Sequence, residues 1–189
     1  MGCVLCCLHP KYPKELYPLY DLLSGSGNSG LTLNHSQKMH IRSTWKILEP
    51  KSEQIGEQVF LRIFDLNPEI KKLFKFEYVW GDDLLNHPKF KSHSARFIMV
   101  IRESVKRLDK MNQAFVQTLV QLGAHHTSNK FFIMSNFQLF VTSILYVFEL
   151  HLKEKLSSEC KESWEILLEF IMYRLQEGFC ISQGSMDFE

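Results

Sequence analysis

The stretch LVQLGAHHTSNKF, residues 119–131, places two adjacent histidines at the end of an apolar helical pattern. At about 100° per residue, Leu119, Leu122 and His126 lie on one face of a helix, within roughly 60° of arc. His125 is turned about 100° away from that face. The pattern therefore predicts that His126 faces the protein core and that His125 does not.

A second histidine interrupts an apolar helix face in HPKFKSHSARFIMVI, residues 87–101. Phe90, His93, Phe97 and Ile101 share that face. A single histidine on an apolar face is more often a core residue than a metal ligand. Two of them, on separate helices, make the two interpretations about equally good, because neutral imidazole is a common metal ligand. The pattern alone leaves both interpretations open.

The remainder of the folded chain also has a helical period and almost no strand-like alternation, which predicts an all-α fold. Fifteen phenylalanines supply large apolar side chains for its core. Asn34 and Gln37 have the spacing of a helix capping box, and Asn67-Pro68 and Pro88 mark helix boundaries. The stretch WGDDLLN, residues 80–86, predicts a loop with at most one turn. The other predicted helices cover about 52–66, 88–109, 112–126, 129–154 and 158–181.

Composition divides the chain into three parts. Residues 8–23 contain three prolines, and SGSGNSG at 24–30 has the composition of a flexible linker. We therefore expect a flexible tether over residues 1–33, a folded domain over 34–181 and a disordered tail over 182–189. The net charge of +1 is not the excess of positive charge that is typical of a nucleic-acid-binding protein. No apolar run is long enough for a transmembrane helix, so the expected location is cytoplasmic, with reduced thiols.

The two core-facing histidines favour one kind of metal site. Neither of the two apolar helix faces carries a carboxylate or a thiol, so the four ligands of a tetrahedral zinc site are incomplete. A flat, apolar macrocycle brings four nitrogens of its own and needs only axial ligands from the protein. Two imidazoles among phenylalanines suit such a cofactor, which is haem.

Over about residues 35–181 the chain resembles the globin family. Trp45 resembles the tryptophan of the first globin helix, and VFLRIFDLNPEIKKLF at 59–74 resembles the second-to-third helix run. The stretch at 87–101 resembles the distal helix, and LVQLGAHHTSNKF resembles the proximal helix. SNFQLFVTSILYVF and KESWEILLEFIMYRLQEGF resemble the last two helices.

The resemblance implies a globin fold of about six to eight helices that cross pairwise around haem b, the iron protoporphyrin IX. It implies that His126 is the proximal iron ligand, whose other ring nitrogen donates to a carbonyl or hydroxyl in the preceding turn. His93 becomes the distal histidine. The other residues that it places at the cofactor are Phe60, Phe74, Arg96 at a propionate, Phe97, Leu122 and Phe131. Phe97 stands where smaller residues are usual, which narrows the distal pocket.

Two roles are open for His93. In carrier-type globins the distal histidine hydrogen-bonds bound oxygen, whereas in neuroglobin-like and globin X-like proteins it binds the iron itself. The pattern here is nearer to the second group, which includes acylated invertebrate globins. Our hypothesis is a six-coordinate, bis-histidyl resting state.

Three classes of function compete at this point. The first is reversible binding of oxygen or another diatomic gas, for storage, transport or sensing; six-coordination and the bulk of Phe97 favour a redox or signalling role over bulk transport. The second is a haem redox enzyme with an unidentified electron donor, which reduces nitrite, dioxygenates nitric oxide or detoxifies peroxide. The third is an interaction protein that uses the fold without haem, which His126, Phe74 and His93 argue against.

The chain begins MGCVLCC, residues 1–7, with three of its five cysteines. Gly2 after the initiator methionine is the acceptor for N-myristoylation, and nearby Cys3, Cys6 and Cys7 suit palmitoylation. The usual myristoylation pattern has Ser or Thr where Cys6 stands. Two acyl chains would hold the protein on the inner leaflet, at the cytoplasmic face of the plasma membrane. A Cys3/Cys6 redox or metal site is the alternative, and it lacks a second pair of ligands.

Overall fold

The computed structural model describes residues 30–186. Within that range the chain is helical and contains no strand, which confirms the predicted all-α class. The α-helices are α1 (His35–Leu48), α2 (Ser52–Leu66), α3 (Pro68–Lys71), α4 (Gly81–Asn86), α5 (Pro88–Lys106), α6 (Gln113–His125), α7 (Gln138–Leu152) and α8 (Ser158–Met186). Short 3₁₀ turns lie at Glu49–Lys51, His126–Ser128, Met134–Phe137 and Lys153–Lys155. No helix in this range has the length and apolar character needed to cross a membrane.

Local signals in the sequence fix several helix ends. The Asn34 side chain accepts from the backbone N–H of Gln37 at 2.9 Å, and the Gln37 side chain accepts from the N–H of Asn34 at 2.9 Å. This is the predicted capping box of α1. Asn67 ends α2 and caps α3, because its side chain accepts from the N–H of Glu69 at 3.2 Å. At the start of α8, the Ser157 hydroxyl accepts from the N–H of Cys160 at 3.3 Å.

Three helix boundaries differ from the prediction. The stretch WGDDLLN forms α4, with Asp82 and Asp83 in its first turn, where carboxylates stabilise the positive end of a helix. The predicted long helix at 129–154 is wrong over its first part, since α7 begins only at Gln138. The last helix continues past residue 181 to Met186, into the segment expected to be a tail.

The late start of α7 has a tertiary cause at Asn129. Its side-chain amide donates to the carbonyl oxygen of Leu73 at 2.9 Å, while its side-chain oxygen accepts from the N–H of Phe131 at 3.1 Å. These bonds hold residues 129–133 as a connection against the segment that follows α3. A contact with a residue so distant in sequence cannot be read from local helical period.

Close backbone contacts set how the helices cross around the central cavity. A Cβ on Gly123 of α6 would overlap the backbone carbonyl of Leu175 in α8, and a Cβ on Gly178 would overlap the carbonyl of Val120. At the crossing of α2 and α5, a Cβ on Gly56 would lie 2.8 Å from the carbonyl oxygen of Ser94. Glycine at these positions lets the backbones touch. The two crossings hold α5, which carries His93, against α2, and α6, which His126 directly follows, against α8.

The first and last long helices pack through aromatic side chains. Trp45 of α1 and Trp164 of α8 have ring centroids 6.2 Å apart, and Phe148 of α7 packs edge-on against Trp164 at 4.8 Å. All three side chains are buried. Further along α8, Leu168, Ile171, Met172 and Leu175 line the cavity described below.

Candidate functional site

His126 lies directly after α6, at the start of a 3₁₀ turn. Its Nδ1 atom is 2.8 Å from the carbonyl oxygen of Leu122. Because a carbonyl oxygen only accepts, Nδ1 carries the proton, and the lone pair of the neutral ring is on Nε2. The bond to the preceding turn is the one predicted from the sequence. It uses a carbonyl near a helix C-terminus, where such groups need partners.

Aromatic side chains from the following connection pack against the His126 ring. Phe132 lies 4.7 Å away and Phe137 lies 5.3 Å away, measured between ring centroids. The prediction that Phe131 fills this position is wrong, because its side chain is 81% exposed. The Asn129 side chain binds the N–H of Phe131 and forms a tight turn, which puts Phe131 outside and Phe132 inside.

His93 comes from α5 and is enclosed by phenylalanines. Its ring centroid is 4.9 Å from that of Phe60 and 4.9 Å from that of Phe74, in edge-on arrangements. Phe97, one turn further along α5, packs 5.3 Å from Phe60. Phe140 of α7 lies 5.5 Å from Phe97. These contacts limit the space next to His93.

The two histidines line one cavity, which encloses about 690 Å³ of empty space, part of it open to solvent. The predicted site residues that line it, apart from the histidines, are Phe60, Arg96, Phe97 and Leu122. Arg96 is exposed and stands at the edge of the cavity. Phe74 contacts His93 but lines a neighbouring cleft instead.

Further apolar residues complete the cavity wall. They are Val100, Ile101, Phe137, Phe140, Leu168, Ile171, Met172 and Leu175. Val100 and Ile101 share the helix face of His93, so the apolar sequence pattern that identified His93 also predicts these two residues. The sequence did not indicate Phe137 and Phe140, because the predicted helix at 129–154 begins well before α7 does. The residues from α8 could not be separated from ordinary core residues by sequence pattern.

Both imidazoles are neutral at pH 7. Burial lowers the pKa of His93 to about 4, and the charges of Arg96 and His126 act in the same direction. Burial also lowers the pKa of His126, although the hydrogen bond that its ring donates to the Leu122 carbonyl acts in the opposite direction. A histidine must be neutral to bind a metal ion. The cavity therefore holds two rings that are ready to act as metal ligands.

The globin family model matches residues 57–175, more than half of the chain. The chain belongs to the globin family. It is similar to the neuroglobin of Chaenocephalus aceratus, with 26% identity over 152 residues that cover 78% of this chain and 92% of that protein. It is also similar to the anaerobic nitrite reductase HBII of Casuarina glauca, with 27% identity over 137 residues, which cover 71% and 85% of the two chains. The neuroglobin-like resemblance of the sequence is thereby confirmed.

Solved structures agree on the fold. The structure of a hexacoordinated haem protein from an anhydrobiotic tardigrade matches with a TM-score of 0.74 and 21% identity, over 81% of this chain and 99% of that one. A neuroglobin from the acoel Symsagittifera roscoffensis matches with a TM-score of 0.68 and 24% identity, over 77% and 99%. The globin fold predicted from the sequence is therefore confirmed.

Haem is the cofactor of this family, and the residues of the cavity fit it. A flat apolar ring needs apolar walls, an axial nitrogen and a charged group near its carboxylates. The cavity supplies a mostly apolar wall, two neutral imidazoles and Arg96 at its edge. The orientation of His126, fixed by Leu122, leaves Nε2 available to a metal.

Proposed function

We propose that His126 and His93 are the two axial ligands of haem in this chain. The observation that carries the proposal is that both rings line one apolar cavity, while Leu122 holds His126 in the tautomer with a free Nε2. When bound, haem would supply an iron centre for gas binding and electron transfer. The phenylalanines around the cavity would exclude water, and Arg96 would pair with a propionate.

The resting state in this proposal is six-coordinate. His93 is buried and neutral, and its ring is held between Phe60 and Phe74. An external ligand would have to displace His93, and Phe97, packed against Phe60, would narrow the space available to that ligand. The similar tardigrade protein is described as hexacoordinated, which is consistent with this state.

The function that this site supports best is binding of oxygen or another diatomic gas, coupled to a redox or signalling role. Globins bind gaseous ligands such as oxygen. Competition from His93 and the bulk of Phe97 favour a redox or signalling role over bulk transport.

A haem redox enzyme is the second candidate. The similarity to a protein named as an anaerobic nitrite reductase supports it. Autoxidation rate and turnover with a chemical reductant separate the two functions. An oxygen complex that lasts only seconds, with steady turnover of nitrite, nitric oxide or peroxide, would favour the enzyme. A long-lived oxygen complex without turnover would favour gas binding.

The absorption spectrum of the deoxygenated ferrous protein tests the ligand assignment. Wild-type protein should show the sharp, split visible bands of a six-coordinate iron. His93→Leu should give the single broad band of a five-coordinate iron, whereas His125→Leu, an exposed neighbour of His126, should leave the spectrum unchanged. A broad five-coordinate band in the wild-type protein would contradict the proposed resting state.

We also propose that acylation at Gly2 and at Cys3, Cys6 or Cys7 ties the protein to the inner leaflet of the plasma membrane. These residues lie outside the described residues, and the proposal stands on the sequence motif. Gly2→Ala should move the protein from the membrane fraction to the soluble fraction of expressing cells. Unchanged fractionation would exclude the lipid anchor. A Cys3→Ser/Cys6→Ser/Cys7→Ser variant measures how much palmitoylation contributes to membrane attachment.

A further inference from the structure

A second cleft adjoins the central cavity, and His93 and Arg96 line both spaces. It encloses about 750 Å³ of empty space, part of it open to solvent, between residues 73–76 and the first half of α5. The wall between the two spaces therefore contains the imidazole proposed as the distal ligand. A ligand in the cleft is separated from the central cavity by that wall.

The charges that line the cleft have one sign. Its charged side chains are Lys75, Lys89 and Arg96, and no carboxylate of the described residues lines it. The whole chain has a net charge of only +1, so this positive charge is local. Phenylalanine and leucine side chains form other parts of the wall and have a low dielectric constant. A cleft with charges of one sign and apolar walls focuses the electric field and attracts small ions of opposite charge.

The three cations do not have the same position. Arg96 lines both the cleft and the central cavity, and the proposed function assigns its charge to a haem propionate. Lys75 and Lys89 line only the outer cleft. Among residues 30–186, neither lysine makes an ion pair with a carboxylate. Their charge therefore acts on solutes in the cleft.

We propose that this cleft is the entry site for small inorganic anions that bind at the His93 side of the haem. The inference rests on the proposed function, since it needs haem between His93 and His126. Lys75 and Lys89 raise the local concentration of a monovalent anion next to His93. Neutral diatomic gases gain nothing from them, so the cleft discriminates between ligands by charge.

Azide binding to the ferric holoprotein tests the inference, with carbon monoxide binding to the ferrous holoprotein as the neutral reference. The variant is Lys75→Glu/Lys89→Glu, and association rate constants are measured by stopped flow. Ligand concentrations are kept in the range where the observed rate is proportional to concentration, so that dissociation of His93 does not limit it. We expect the variant to lower the azide rate constant about ten-fold at low salt and to leave the carbon monoxide rate constant within about two-fold. The wild-type azide rate constant should fall between about 10 mM and about 1 M salt, as the Debye length drops from about 30 Å to about 3 Å.

The matched control is Lys46→Glu/Lys161→Glu, which changes the net charge equally at two exposed lysines outside the cleft. It should keep the azide rate constant within about two-fold of wild type. An equal loss in both double variants would overturn the inference, because net charge would then explain it. A wild-type azide rate constant that does not depend on salt would overturn it too. Failure of the proposed function looks different, since the purified chain would then lack a haem absorption band.

Discussion

The backbone of Gly123 in α6 lies directly against the carbonyl group of Leu175 in α8, so closely that a Cβ on Gly123 would overlap the carbonyl oxygen. Gly178 lies in the same way against the carbonyl of Val120. His126 follows Gly123 by one helical turn, and Leu175 lines the cavity that His126 faces. The crossing therefore fixes the distance between the proximal histidine and the wall formed by α8.

Alanine at this crossing should be strongly destabilising. Gly123→Ala or Gly178→Ala forces a backbone shift, and we expect a loss of about 3 kcal/mol or more in the free energy of unfolding. Urea denaturation of the purified protein measures it. Gly184→Ala is the matched control in α8, the helix that contains Gly178, because nothing lies within 4 Å of the Cβ position of Gly184. It should stabilise by about 0.5–1 kcal/mol, since alanine favours a helix. Similar effects at the three positions would contradict the close crossing.

Features encoded in neighbouring residues were predictable from the sequence. The capping box of Asn34 and Gln37 needs only a spacing of three residues, and the helix end at Asn67-Pro68 needs only proline chemistry. His126 and His93 were found because each interrupts an apolar stripe on its own helix. The bond from His126 to Leu122 joins residues one turn apart, and the resemblance to globins implied such a bond to the preceding turn.

Features that depend on distant partners were not predictable. The bond between Asn129 and Leu73 joins residues 56 apart in sequence and holds the Asn129 side chain in place. The same side chain accepts from the N–H of Phe131, in the turn that puts Phe131 outside and Phe132 inside. Lys71 is almost fully buried, with its amine 2.5 Å from the carbonyl oxygen of Val79 and beneath the Trp80 ring. Lysine on a short polar helix gives no local signal for burial.

The adjacent phenylalanines after the proximal helix should respond differently to truncation. Phe132 contacts His126, Phe137 and Phe179, so Phe132→Ala should cost about 3 kcal/mol and speed haem loss. Phe131→Ala removes an exposed side chain and should stay within about 0.5 kcal/mol of wild type. Urea denaturation and transfer of haem to an acceptor protein measure the two effects. Equal haem loss from both variants would mean that Phe131 also packs on the cofactor.

The stability of the haem-free protein should fall in acid before carboxylates titrate. The folded pKa of His93 is about 4, below its ordinary value of 6.5, and that of His126 is lowered as well. The unfolded chain therefore binds more protons than the folded chain below pH 6.5, and the free energy of unfolding decreases as pH falls. For His93 the loss continues to about pH 4 and amounts to about 3 kcal/mol.

Urea denaturation of the haem-free protein between pH 4 and pH 8 measures this dependence. His93→Leu should be less sensitive to pH between about 6.5 and 4 than the wild-type protein. A wild-type stability that rises on acidification from pH 6.5 would show that the histidines gain protons on folding, against the burial seen here.

The buried hydrogen bond between α1 and α8 offers a last test of how the fold is held together. The indole N–H of Trp164 donates to the Thr44 hydroxyl at 3.0 Å, and that hydroxyl donates to the carbonyl oxygen of His40 at 2.7 Å. Thr44→Val keeps the shape of the side chain but leaves the buried indole N–H without its acceptor. We expect a loss of about 2 kcal/mol in the free energy of unfolding. Thr118→Val is the control, because within residues 30–186 the exposed Thr118 hydroxyl bonds only to the Ala114 carbonyl of its own helix. It should change stability by less than about 0.5 kcal/mol. Equal losses in the two variants would mean that Trp164 finds another acceptor, and the hydroxyl of Thr44 would then contribute nothing specific to the packing of α1 on α8.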